Sequence, residues 1–224
     1  MKRILFYGLI GSILIWGSYQ IVFSENEDVT AEQDDTKPRV TQNIEELVKQ
    51  AIQNYNQLKE QHETLDINNE TIQISDPEVK NWIIHTYIQS AVYKNVNLEG
   101  IALVDQAMQY KHTNNAIINW AKARHDTTVS DEEINNYIQK QLVHIENGEQ
   151  SHPFFKKISE ALNLTEAEYF YEWEYNRFAQ LLLQDKLFVK YQRNNPKLED
   201  ETEAEYQRRI IQLMENDLTE YRKQ

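Results

Sequence analysis

The stretch Thr165–Tyr191, TEAEYFYEWEYNRFAQLLLQDKLFVKY, contains no proline or glycine. Thr165 with Glu168 three residues on is a capping-box pattern, so the spacing predicts a helix starting here. Unbroken, it would run roughly 40 Å, longer than most globular helices. Wound at 100° per residue, Tyr169 and Trp173 share one side, and Phe170, Leu181 and Phe188 share a second. Tyr171, Tyr175, Phe178, Leu182 and Val189 share a third. That spread is too wide for a surface helix with one apolar stripe. It predicts a central helix wrapped by others, or one that also offers an aromatic face to a ligand. Glu172, Glu174, Asn176, Arg177 and Asp185 lie between the apolar positions and predict incomplete wrapping. Core packing is the ordinary reading. An open cleft would make Tyr171, Trp173, Tyr175 and Phe178 the peptide-binding candidates, since aromatic rings supply rigid apolar area.

Four capping patterns recur: Ser75/Glu78, Ser130/Glu133, Thr165/Glu168 and Thr202/Glu205. With five glycines and four prolines in 224 residues, turns are too few for an all-β fold. The expected class is all-α, an irregular domain of about six to seven helices after an N-terminal transmembrane helix. Within it, Ile44, Val48, Ala51, Tyr55 and Leu58 step at heptad spacing, too briefly for a stable coiled coil. Ile67–Ile74 carries an Asn-Asn turn and reads as a short extended piece or hairpin. Pro77 falls in the first turn of the next helix. The polar His112–Asn115 is a candidate interruption of the helical pattern around it. Asn147-Gly148 reads as a helix end, and Asn194-Asn195-Pro196 as another.

The N-terminus sets the topology. Lys2 and Arg3 precede Ile4–Phe23, twenty residues without charge, about the length that crosses a ~30 Å hydrocarbon core. Glu25, Glu27 and Asp28 follow. The charge order places the N-terminus in the cytoplasm and the remainder outside. The expected organisation is a signal-anchor helix over 1–24, a polar tether over 25–39 and a helical domain over 40–224. The rival is a cleaved signal peptide, with Val22 and Ser24 at the cleavage site and a secreted product.

Lys2 and Arg3 are two of 23 bases, and no acid falls in the first 24 residues, so 21 bases face 36 acids beyond them. No basic run appears, which argues against nucleic acid as a partner. Neutral, basic or hydrophobic partners fit. The absence of cysteine removes disulfides, thiolate metal sites and cysteine nucleophiles. His62-Glu63-Thr64-Leu65-Asp66 starts like a zinc-protease helix but lacks the second histidine. Acids at Glu199, Asp200, Glu201, Glu203 and Glu205 lack the glycine and alternation of a calcium loop, and read as charge at a helix N-terminus. No phosphate loop or nucleophile elbow occurs. The expectation is a non-enzymatic protein without cofactor or metal.

Ala116–Ile138, AIINWAKARHDTTVSDEEINNYI, resembles the N-terminal chaperone domain of SurA-type and PrsA-type foldases. A helix ends there in alanine and basic residues, a short turn follows, and V-S-D-E-E-I opens the next helix. A-L-N-L-T-E-A-E-Y at 161–169 and L-L-L-Q-D-K-L-F at 181–188 are similar to that family's next helices. Ile67–Ile72 resembles its V-N-G-E-x-I opening, with asparagine for glycine. Together these cover roughly Asp66–Tyr191. The resemblance implies an extracytoplasmic bacterial module that holds unfolded or partly folded exported chains. The parvulin domain that usually follows is missing, and no cysteine is present for lipidation. The alternative is a structural adaptor for one folded envelope or membrane partner, motivated by the heptad-like helix Ile44–Leu58.

Overall fold

The computed structural model describes residues 44–91, 96–146 and 153–223. The expected anchor, the tether and the Asn147-Gly148 helix end lie outside the described residues. The described chain is mostly helical: α1 Ile44–Gln61, α2 Pro77–Gln89, α3 Gly100–His125, α4 Asp131–Glu146, α5 Pro153–Leu162, the single turn α6 Glu166–Glu168, α7 Tyr175–Asn194 and α8 Glu203–Arg222. Eight helices replace the expected six to seven, and an antiparallel hairpin of β1 Thr64–Ile67 and β2 Glu70–Gln73 makes the fold less than wholly α. The hairpin follows from its turn. Asn68 and Asn69 both take left-handed backbone, at φ 51° and 66°, the geometry of a two-residue turn that matches strand twist. The register then turns Ile67 and Ile72 inward.

The chain forms two compact units. The first contains residues up to Lys111 together with Gln141–Glu174. Here α1 packs on α2 and α5. Ile44, Val48, Ala51, Tyr55 and Leu58 are all buried, so the heptad-like face of α1 is spent within its own unit. Tyr55 also donates its hydroxyl to the carbonyl of Ile74. The N-terminus of α2 is capped by Asp76, which accepts from the backbone N–H of Glu78 and Val79. This corrects the Ser75/Glu78 expectation: Pro77 occupies N1, and the cap is the residue before it.

The second unit contains His112–Lys140 and Tyr175–Gln224. The end of α3, the start of α4, α7 and α8 build it, with α8 packed on α7. Tyr206, Ile210, Met214 and Leu218 bury one stripe of α8 at four-residue steps. The Ser130/Glu133, Thr165/Glu168 and Thr202/Glu205 boxes all form reciprocally. His112–Asn115 does not interrupt α3, which runs straight through it.

The long helix from Thr165 is not continuous. After α6, Tyr169–Trp173 winds as a π-helix, and Glu174 bends at φ −94°, ψ −3° with its N–H bonded five residues back to Tyr169. The wider turn leaves Tyr169, Phe170 and Trp173 all buried, with the first two rings edge-to-face at 5.3 Å. The helix then restarts at Tyr175.

Candidate functional site

In the second unit, α7 is fixed to the start of α4 by polar contacts at its first residue and near its middle. The Tyr175 hydroxyl donates to Asp131 Oδ1 at 2.7 Å. Lys186 donates to the carbonyl of Thr128 at 2.8 Å and pairs with Glu133. Between them, the rings of Tyr137 and Phe178 lie 5.6 Å apart. The Asp131 carboxylate pushes the Tyr175 phenol up to about 12. Lys186 and the Ser130 backbone hold Glu133 down at about 2. Burial, aided by the negative charge of Asp185, pushes Tyr137 up to about 12.

Phe178, Gln180, Leu183, Gln184 and Leu187 are the buried residues of α7. Beyond the buried Phe178 on its own side of the helix, Leu181, Leu182 and Phe188 are half-buried and Val189 is 43% exposed. Asp185 lies among them. Its neighbours at i−4, i−3, i+3 and i+4 are Leu181, Leu182, Phe188 and Val189, the positions that meet a side chain on a helix surface. Asp185 is solvent-accessible, yet burial by its surroundings, which include Tyr137 of α4, pushes its carboxyl above the ordinary range. It has no hydrogen bond or ion pair among the described residues.

The four aromatic candidates do not form one site. Tyr171 and Trp173 belong to the first unit, Tyr175 and Phe178 to the second. Trp173 is 8% exposed and sits against the His85 ring, centroids 4.5 Å apart; Phe178 is 1% exposed. Both are core. Tyr171 and Tyr175 remain half-buried. The part of α7 left partly exposed is apolar around Asp185, and i±3/i±4 spacing is the signal that finds it.

Two polar clusters lie elsewhere. In the second unit, Asp217 of α8 takes Arg124 on Oδ1 and both His125 Nε2, at 2.8 Å, and the Tyr191 hydroxyl on Oδ2. Lys190 caps the carbonyl of His125. Burial works to raise the Asp217 carboxyl, but these donors outweigh it and hold it below the ordinary range. Burial and the Asp217 carboxylate together drive Tyr191 far above the ordinary phenol. All donors converge on one carboxylate, an arrangement that ties α3, α7 and α8 together. In the first unit, His85 Nε2 lies 4.0 Å from Glu174 Oε1, and the Tyr169 hydroxyl donates to the same oxygen at 3.3 Å.

Among the described residues no group of three or more His, Asp or Glu side chains is placed to hold a metal ion, and no helix is long and apolar enough to cross a membrane. Comparison with protein families, curated proteins and solved structures returned no match.

Proposed function

We propose that this protein is a non-catalytic, membrane-tethered chaperone-like module that binds unfolded or partly folded exported proteins outside the cytoplasm. The observation that carries the reading is an apolar strip of α7 around Asp185: beyond the buried Phe178, Leu181, Leu182 and Phe188 stay half-buried and Val189 is 43% exposed. An apolar strip left partly open to solvent around a carboxylate is a candidate contact surface. The sequence resemblance to foldase chaperone domains points to the same use. The Lys2/Arg3 and Glu25/Asp28 charge order supports a single-pass cell-membrane location with the helical domain outside, a secreted form being the alternative. A tether would raise the effective concentration of the module near emerging chains. Tyr171 and Tyr175, the half-buried pair of the aromatic set, remain candidate contacts.

The test is aggregation of a reduced, unfolded exported protein in the presence of the purified chain. Suppression that Leu182→Ser with Val189→Ser abolishes, at unchanged melting temperature, supports the reading. No suppression and no client binding would refute it. Recovery of one stoichiometric folded partner instead would favour the adaptor, and prolyl-isomerase activity above background would make the protein an enzyme.

A further inference from the structure

We propose that the open side of α7 selects apolar peptide segments that carry one lysine or arginine among their apolar residues, with that cation seating on Asp185. The inference rests on the client-binding reading above and specifies the chemistry of the client. Four observations lead to it. Asp185 is ringed at every adjacent helical position by Leu181, Leu182, Phe188 and Val189. It makes no hydrogen bond or ion pair among the described residues, the Tyr137 phenol of α4 being its electrostatic neighbour. The lysines that follow it on α7 are engaged elsewhere, Lys186 by Glu133 and the Thr128 carbonyl and Lys190 by the His125 carbonyl. The chain as a whole carries a formal charge of −13, which attracts cationic segments over distance.

The selectivity follows from what each client would do to the carboxylate. A purely apolar segment laid on the strip covers Asp185 and strips its remaining water without supplying a partner, which is costly. An acidic segment adds repulsion. A segment with a lysine or arginine at that point gives the carboxylate a charge-assisted hydrogen bond while its flanking residues meet the apolar ring. The long methylene stem of the basic side chain suits an apolar rim.

Fluorescence anisotropy with the purified full chain tests this, using one labelled peptide of alternating leucine, phenylalanine and serine with a central lysine, norleucine or glutamate. The lysine peptide is expected to bind about five- to tenfold tighter than the norleucine peptide, with glutamate weakest. Asp185→Asn should erase the lysine advantage and leave norleucine binding equal or tighter. Asp185→Lys should reverse the order in favour of glutamate. Melting temperatures confirm folding, and if the reversal variant does not fold, the isosteric Asn variant decides alone. Equal binding of lysine and norleucine peptides, or a lysine preference that survives Asp185→Asn, overturns the inference while leaving client binding intact. If no peptide binds the unaltered chain, the client-binding reading fails and this one falls with it.

Discussion

The Tyr191 hydroxyl donates to Oδ2 of Asp217 at 2.5 Å, joining α7 to α8 at a carboxylate that also holds Arg124 and His125 from the end of α3. Three helices therefore share one acceptor. Asp217→Ala would leave three partly buried donors without it, and should cost about 2–4 kcal/mol, read by urea unfolding. The pH dependence has a definite sign. The Asp217 carboxyl is held below its ordinary range in the fold. Its contribution is present at neutral pH and is lost as pH falls through the folded-state value, beneath the usual carboxylate range. Asp217→Asn should flatten that acid limb of the stability curve.

Phe178 and Tyr175 stand three residues apart on α7 and should respond very differently. Phe178 is 1% exposed against Tyr137, so Phe178→Ala should cost about 3–5 kcal/mol. Tyr175 is half-buried and contributes one hydroxyl bond to Asp131. Tyr175→Phe should cost about 0.5–1.5 kcal/mol. Chemical unfolding of the two variants checks the contrast, and equal losses would place Tyr175 in the core as well.

What was legible in the sequence was what is decided locally. Three capping boxes and the Asn68-Asn69 turn form where their residues stand, because each needs only a few neighbouring backbone groups. The cap at Asp76 was legible too, from Pro77 at N1, but Ser75/Glu78 matched the commoner pattern. The π-turn at Tyr169–Trp173 carries no glycine, proline or other local mark. Its three large rings, Tyr169, Phe170 and Trp173, are all buried, so its surroundings are tertiary rather than local. The same break divides the four aromatic candidates between two units. The Asp185 ring was present in the spacing all along. Sorting residues by wheel face put Leu181 with Phe188 and Leu182 with Val189 on separate sides, which hid the aspartate they enclose.

The hairpin turn offers a stability change without any change of contacts. Asn68 and Asn69 sit at φ 51° and 66°, where asparagine is tolerated and glycine is strain-free. Asn69→Gly converts the turn to the preferred Asn-Gly pair and should be neutral or stabilising by a few tenths of a kcal/mol. Asn69→Val, β-branched at positive φ, should cost about 1–2 kcal/mol. Thermal melts of the pair test the assignment, and a Val variant as stable as the Gly variant would argue against this turn.

Asp185 should be a net burden on the isolated fold. Burial raises the carboxyl above the ordinary value, so the folded state binds the proton more tightly than the unfolded chain does. Stability should therefore rise as pH falls through the folded-state value, and the penalty should be fully present at neutral pH. Solvent still reaches the group, which limits the size of the effect. Asp185→Asn removes the charge at nearly constant shape. It should raise the melting temperature at pH 7 by about 1–3 °C and leave it unchanged near pH 3, where the native carboxyl is already protonated. This is opposite in sign to Asp217→Asn, which should lose stability at pH 7. Calorimetric melts of both variants across pH 3–8 distinguish the two carboxylates. A loss of stability at pH 7 for Asp185→Asn would mean that the carboxylate has a partner within the fold, and that it is not held open for a client's cation.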